Sequence, residues 1–156
     1  MLKNRFYILA AIALAGCKAV GSEYPSLEIT SIYWSDGDSG YLNGKKIPFR
    51  LANVDAPETG GVGAAIGGAK CELERQRGFE AKAFVVELTE NAELTIHREY
   101  GLDKYKRLVI NLHANGLDVG KSAVNTGHLQ DWPHKGRRQL VKKPDWCKNE
   151  GQLSLD

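Results

Sequence analysis

Alternating apolar and polar residues predict β-strands in the first third of the chain. Residues 27–34 alternate in this way and are rich in β-branched and aromatic side chains. Residues 47–54 form another β-rich run, with Pro48 near its start, where a missing N–H is tolerated. Between these runs, Asn43-Gly44 is typical of a tight hairpin turn. The pattern therefore predicts three strands before Asp55: residues 27–34, a short strand that leads into the Asn43-Gly44 turn, and residues 47–54.

A helical period of apolar residues predicts the longest helix at residues 71–92. We expect its buried face to carry the apolar residues that recur at this spacing, together with their neighbours: Phe79, Ala83, Phe84, Val86 and Leu88. Residues 59–70, which precede the helix, contain five glycines and predict a flexible loop.

Two more strands are predicted at residues 93–99 and 107–114. A tight turn at Asn115-Gly116 follows, and then a short helix that begins after Asp118 and ends at Gly127. Pro144 would end any later helix. The order favours an α+β, mainly β fold: a five-stranded OB-fold-type barrel with two or three helices, β-β-β-α-β-β-α(-α). An open α+β sheet fits the pattern nearly as well.

The first 26 residues have a different character from the rest of the chain. After a basic start, residues 6–15 form an apolar run that is too short for a bilayer, which needs about 20 residues, but is typical of a signal peptide. The run ends in Leu-Ala-Gly-Cys, typical of a bacterial lipobox that would place a lipid on Cys17. An ordinary secretory signal cut nearby is the alternative. We expect a signal peptide at residues 1–16, a tether at 17–26, and an exported protein anchored to the bacterial cell envelope.

The cysteine count agrees with export. If Cys17 carries a lipid, Cys71 and Cys147 remain as a pair in an oxidising compartment, where we expect them to form a disulfide. The chain-entropy model gives a bridge across so long a loop about 4 kcal/mol of stabilisation. Two buried thiols are the alternative.

Composition and charge add little. A chain of 156 residues with 42% hydrophobic and 26% charged residues is ordinary for one soluble domain. The formal net charge of +2 falls to 0 without Lys3 and Arg5 of the signal peptide, so net charge gives no evidence of a nucleic-acid partner. The basic segment after residue 134 would either guide a polyanion or form a solvated face.

Acidic residues in two short motifs supply the candidate chemistry. Asp36 and Asp38 in DGD, and Asp55 and Glu58 in VDAPE, offer the oxygen ligands that hard cations such as Ca²⁺ prefer. The histidines are scattered and the cysteines lack CxxC spacing, which disfavours zinc. The chain also lacks a GxSxG elbow, a P-loop and a dinucleotide fingerprint.

Two arginines complete the candidate set. Arg50 and Arg107 each lie at a predicted strand, and the planar, permanently charged guanidinium suits phosphate. Pro57 would end the strand after Asp55 and let the chain turn, which would bring Glu58 back toward a bound metal. Arg50 and Asp55 are an odd number of residues apart, so a regular strand would direct them to opposite faces. Their convergence requires curvature or a bulge.

Together these motifs resemble the thermonuclease family, the staphylococcal-nuclease-like domain. The resemblance rests on DGDS, FRLANVDAPE, GFEAKAF, DKYKR and NGLDVGKSAVNTGHL, in this order, and covers roughly residues 27–147, with 148–156 as a tail. It implies an OB-type barrel with a Ca²⁺-dependent phosphodiesterase site that acts on DNA and RNA.

The resemblance also implies a role for each site residue. The Ca²⁺ ligands would be three oxygen donors: Asp38, Asp55 and the backbone carbonyl of Ala56. The catalytic residues would be Arg50 for the scissile phosphate, Glu58 as general base, and Arg107 for the transition state and leaving group. Asp36 is not a ligand in this scheme and is interpreted as a turn residue.

This chain departs from the family pattern at several positions. Ala56 and Ser39 stand where threonine is usual, and Lys106 replaces the glycine before Arg107, which we expect to affect how Arg107 is presented. Trp132 and His134 are candidate stacking substitutes for a tyrosine pair of the family.

We therefore expect an exported, monomeric, Ca²⁺-dependent nuclease with DNA or RNA as its substrate and a lipid on Cys17 as its link to the membrane. The alternative is a catalytically degenerate OB-type module that binds nucleic acid or protein. All five polar site positions are retained, which favours the enzyme.

Overall fold

The computed structural model describes residues 27–136 and 138–148. The predicted signal peptide, the tether with Cys17, and almost all of the tail lie outside the described residues. Within the described ranges, no helix combines the length and the apolar character that a membrane crossing requires.

The described residues form an α+β fold that is mainly β, as predicted. In chain order the elements are β1 (Ile32–Trp34), β2 (Ser39–Leu42), β3 (Ile47–Leu51), β4 (Val54–Asp55), α1 (Glu72–Thr89), β5 (Leu94–Leu102), β6 (Leu108–Ala114), β7 (Leu117–Asp118), α2 (Val119–Asn125), β8 (Gln130–Asp131), β9 (His134–Lys135) and β10 (Arg138–Gln139). The first strand is shorter than predicted, and the run at 47–54 is divided into β3 and β4 by a turn.

The main sheet is OB-like and mixed, and it is open rather than closed. Its strand order is β1-β2-β3-β6-β5, with β7 added to β6. The pairing of β3 with β6 is parallel and the other pairs are antiparallel. The short pairs β4-β8 and β9-β10 stand apart from the main sheet.

The core lies between one face of this sheet and the two helices. Trp34 and Phe49 pack edge to face, with ring centroids 5.1 Å apart, and both side chains are buried. The period of two along β1 and β2 sends Trp34 and Leu42 inward and leaves Tyr33 and Tyr41 exposed. Each apolar face is thereby removed from water, which is the main driving force of folding.

The buried face of α1 differs from the predicted one. Phe79 and Val86 are 49% and 42% exposed, and Ala83 is also exposed. Phe84 and Leu88 do pack against the core from its edge. The deeply buried positions instead include no large apolar residue: they are Glu74, Gly78, Ala81, Val85 and Thr89. Small side chains let the helix approach the backbone closely, and this packing overrides the preference for burying the largest apolar residues.

Both helices begin at a side-chain cap. The Asp118 carboxylate accepts a hydrogen bond from the Lys121 N–H at 2.8 Å, as expected for the predicted cap of α2. Cys71 caps α1 and is joined to Cys147 by a disulfide, with the Cα atoms 6.0 Å apart. The predicted bridge is therefore present, and it ties the start of α1 to the C-terminal segment.

Candidate active site

Two buried carboxylates and one guanidinium meet beside β2, β3 and β4. Asp38 and Asp55 are 4% and 1% exposed. One nitrogen of Arg50, Nη2, lies 2.8 Å from Asp38 Oδ2 and 3.6 Å from Asp55 Oδ1. Burial of unpaired carboxylates would be costly, so the guanidinium is the group that makes this arrangement tolerable.

A turn at Asn53 explains why Arg50 and Asp55 converge. Asn53 has φ 61°, in the left-handed region that asparagine tolerates better than most residues. This turn separates β3 from β4 and corrects the odd spacing that would send the two side chains to opposite faces. Arg50 Nη2 also donates to the carbonyl of Val54 at 3.1 Å, which holds the turn against the strand.

The Asp-Gly-Asp segment forms a second turn that presents Asp38. Asp36 Oδ1 accepts hydrogen bonds from the N–H groups of Asp38 at 3.1 Å and Ser39 at 2.8 Å. The Ser39 hydroxyl donates to the same carboxylate at 3.0 Å. Asp36 is thus the residue that builds the turn, and Asp38 is the residue that the turn directs toward Arg50.

Glu58 lies beside the two buried aspartates and shares a cation, Lys143, with Asp55. Lys143 Nζ is 3.6 Å from Glu58 Oε1 and 3.4 Å from Asp55 Oδ1. The chain at Pro57 and Glu58 lies directly against Gly78 of α1, where a Cβ atom would come within 2.5 Å of the Glu58 carbonyl oxygen. The absence of a side chain at Gly78 therefore sets how closely Glu58 approaches the helix.

The electrostatics of the cluster favour an added positive charge. Burial, assisted by the neighbouring charges of Asp36 and Asp55, raises the pKa of Asp38 to about 8 against the opposing effect of Arg50. Burial also raises the pKa of Glu58, although Lys143 acts in the opposite direction. The cluster holds four acids, Asp36, Asp38, Asp55 and Glu58, and two cations, Arg50 and Lys143.

These residues fit a hard divalent cation. Asp38 and Asp55 offer carboxylate oxygens, the donor type that Ca²⁺ prefers, and a divalent ion would offset the surplus of negative charge. Ala56, predicted to lend its carbonyl, is held beside them because its N–H donates to Asp38 Oδ2 at 3.2 Å. Across the described ranges, no point gathers three or more acidic, histidine or cysteine side chains suited to a metal.

Arg107 lies apart from the other predicted site residues. Its Nε and Nη2 both contact Asp103 Oδ2 at 2.8 Å. Burial acts to raise the pKa of Asp103, but hydrogen bonds from the backbone and side chain of Arg107 outweigh it and lower that pKa. Among the described residues, Arg107 makes no hydrogen bond or ion pair with Arg50, Asp38, Asp55 or Glu58.

A recess in the surface lies beside Arg107. It has a volume of about 360 Å³ and is lined by Arg107, Tyr105, Ser39, Gly40, Tyr41, Pro48 and Ser35. Pro48, which lines the recess, lies two residues before Arg50 on β3, so the two side chains point to the same side of the sheet. The recess beside Arg107 therefore lies on the face of the sheet that carries Arg50.

The predicted stacking residues also lie near the site. The Arg50 guanidinium carbon is 5.5 Å from the centroid of the Trp132 ring, and Lys143 Nζ is 5.9 Å from it. His134 packs edge-on against Trp132, with centroids 4.4 Å apart. The Trp132 ring thus makes cation–π contacts with both Arg50 and Lys143.

Three further residues of the site escaped sequence reasoning: Asp103, Lys143 and Trp146. Asp103 could have been found, because an acid four residues before an arginine within DKYKR is a recognisable pairing signal. Trp146 donates its indole N–H to Asp55 Oδ2 at 3.0 Å across 91 residues of sequence. No local sequence pattern predicts that contact or the contacts of Lys143.

Comparison with known proteins bears on the identity of this site. The profile of the family described as staphylococcal nuclease homologue matches residues 48–140, more than half of the chain. A protein of Oryza sativa subsp. japonica named "Probable staphylococcal-like nuclease CAN4" is 29% identical over 106 residues. That alignment covers 68% of this chain and 17% of the rice protein, so the chain spans about a sixth of its relative's length.

The backbone conformation of Lys106 predicts that a substitution at this position will stabilise the fold. It has φ 62°, so its backbone follows the left-handed path that glycine favours, just before Arg107. We expect Lys106→Gly to raise the free energy of unfolding by up to about 1 kcal/mol, because a left-handed non-glycine residue is strained. Chemical denaturation with the disulfide intact measures the change.

Lys104→Gly is the matched control. Lys104 is exposed in the same turn and is not among the residues with positive φ. Glycine there should lower stability by increasing the freedom of the unfolded chain. Equal destabilisation by both substitutions would contradict the assignment of strain to Lys106.

Proposed function

Because the chain belongs to the staphylococcal nuclease homologue family, we propose that it is an exported, Ca²⁺-dependent nuclease that hydrolyses phosphodiester bonds in DNA or RNA. A nuclease-like function follows from the family itself. The metal, the compartment and the role of each residue are our proposals.

One observation carries the proposal more than any other. Arg50 contacts both buried carboxylates, Asp38 and Asp55, and Lys143 links Asp55 to Glu58. A purely structural core would gain nothing from five charged groups at this position, since buried ion pairs are rarely more stable than well-packed apolar residues. Clusters of this kind, with raised carboxylate pKa values, are typical of functional sites.

Glu58 is the proposed general base. Its carboxylate accepts a proton from a water molecule as the water oxygen forms a bond to phosphorus, and the opposite P–O bond breaks with its electron pair on the leaving oxygen. A raised pKa makes Glu58 a more effective proton acceptor near neutral pH than an ordinary glutamate. Its partial burial still leaves it accessible to water.

The two arginines are proposed to hold the phosphoryl group. Arg50 offers a fixed guanidinium beside the aspartates, which suits the charge on the scissile phosphate. Arg107, oriented by Asp103, would neutralise the charge that develops on the leaving oxygen. Asp38, Asp55 and the carbonyl of Ala56 would hold Ca²⁺, which when bound supplies positive charge that polarises the phosphoryl oxygens.

We further propose export and a lipid anchor. The apolar run at residues 6–15 and the Leu-Ala-Gly-Cys motif support a lipoprotein signal that ends before Cys17. The Cys71–Cys147 bridge is compatible with an oxidising compartment. The proposed location is the bacterial cell envelope.

The first experiment tests Glu58 as the base. The purified protein should digest single-stranded DNA with Ca²⁺ and should lose this activity with a chelator. Glu58→Gln removes the proton acceptor while preserving shape, so we expect kcat to fall about 100- to 10,000-fold. Release of acid-soluble nucleotide measures the rate.

Glu87→Gln is the control, because Glu87 is an exposed glutamate of α1. It should retain wild-type activity. An inert wild-type protein in the presence of Ca²⁺ would favour the non-catalytic binding module instead. A Glu58→Gln variant as fast as wild type would remove Glu58 from the mechanism.

Mass spectrometry of the protein extracted from bacterial membranes tests the anchor. We expect the mature chain to begin at Cys17 and to carry the added mass of lipid, and Cys17→Ser should release the protein from the membrane fraction. An unmodified N-terminus at another residue would indicate an ordinary secretory signal.

A further inference from the structure

The last described residues of the chain reach the proposed metal site. We call residues 143–148 the C-terminal strap. Within the strap, Trp146 is 4% exposed and donates its indole N–H to Asp55 Oδ2 at 3.0 Å. The strap also brings Lys143 to Asp55 Oδ1 and Glu58 Oε1. Both oxygens of Asp55 therefore have partners in the strap.

The indole contact controls the orientation of Asp55. The indole has a single N–H, which can only donate, and it donates to one carboxylate oxygen, Oδ2. The other oxygen, Oδ1, is thereby turned toward Arg50 and Lys143, at 3.6 and 3.4 Å. Hydrogen bonds to a buried carboxylate are among the stronger ones, and loss of this donor would leave Oδ2 unsatisfied in the interior.

Two anchors on α1 hold Trp146 in place. The first is the disulfide from Cys71, the N-cap of α1, to Cys147, the residue next to Trp146. The second is Arg77, whose Nη1 donates to the carbonyls of Trp146 at 2.9 Å and Lys148 at 3.0 Å. Both anchors lie in the first half of the helix that also packs against Glu58 through Gly78.

We propose that Trp146 is a positioning residue for the metal site, and that the Cys71–Cys147 bridge and Arg77 act through it. The tryptophan would act through its hydrogen bond to Asp55 and not as a ligand itself. It fixes the rotation of the Asp55 carboxylate, so that Oδ1 faces Arg50 and Lys143. This inference rests on the proposed function, since it assigns Asp55 to Ca²⁺ binding.

Calorimetric titration with Ca²⁺ tests the inference without a measurement of activity. Trp146→Phe keeps an aromatic ring at this position and removes the N–H donor together with the five-membered ring, a loss of volume that the control below reproduces. Because groups that orient metal ligands typically contribute 10- to 100-fold to metal affinity, we expect the dissociation constant for Ca²⁺ to rise about 10- to 100-fold. Denaturation curves of the same samples report any change in folding.

Trp34→Phe is the matched control. Trp34 is buried to a similar degree, at 3% exposed, and its indole N–H also donates to a side-chain oxygen, Thr89 Oγ1, at 2.9 Å. This variant loses the same type of hydrogen bond away from the site. It should lose stability but keep wild-type affinity for Ca²⁺.

Cys147→Ser keeps the test decisive if Trp146→Phe does not fold. Removal of the bridge leaves only the Arg77 anchor, so we expect an affinity between those of wild type and Trp146→Phe, and reduction of the wild-type disulfide should have the same effect. Unchanged affinity in folded Trp146→Phe would overturn the inference. If that variant is unfolded, unchanged affinity in Cys147→Ser would overturn it.

The wild-type titration separates the two ideas. Absence of Ca²⁺ binding by the wild-type protein would overturn both the proposed cofactor and this inference. Normal wild-type binding with no loss in either strap variant would overturn the role of Trp146 alone.

Discussion

The contact of Arg50 with Asp38 and Asp55 is the interaction on which the site depends. Two carboxylates that are almost fully buried would strongly destabilise the fold without a paired cation. Arg50 reaches both because β2 runs antiparallel to β3, where Ser39 is opposite Arg50, and because the turn at Asn53 returns the chain at once to Asp55. The sheet therefore gathers negative charge that its own cations offset only in part, which is a favourable setting for a divalent ion.

Helix α1 also packs against this cluster. Its buried positions carry no large apolar side chain, and Gly78 lies directly against the chain at Pro57 and Glu58. The same helix anchors the C-terminal strap through Cys71 and Arg77. The strap and the helix together give Asp55 and Glu58 partners from parts of the chain far away in sequence, and such supporting contacts are what hold catalytic groups in a productive geometry.

The sequence motifs selected four residues that lie together in the structure, but they did not reveal the way in which these residues meet. Arg50, Asp38, Asp55 and Glu58 could be selected from short motifs whose residue types match phosphate and metal chemistry. Their convergence depends on a positive φ at Asn53, which alternation along a strand does not reveal. The class of fold followed from the order of strands and helices. The buried face of α1 was predicted wrongly, because the helix packs through glycine and alanine rather than through its largest apolar side chains. The contacts of Lys143 and Trp146 are tertiary and have no local signal.

The most direct test of the account is the position of the metal and the phosphate relative to Arg50. Crystals of the Glu58→Gln variant with Ca²⁺ and a short single-stranded DNA would show both, since the anomalous signal of calcium identifies the ion. The account predicts one Ca²⁺ ion bound by Asp38 and Asp55, with a backbone phosphate of the DNA in contact with Arg50 on the side of the recess that leads to Arg107. An ion bound away from the two aspartates, or a phosphate that does not contact Arg50, would contradict it.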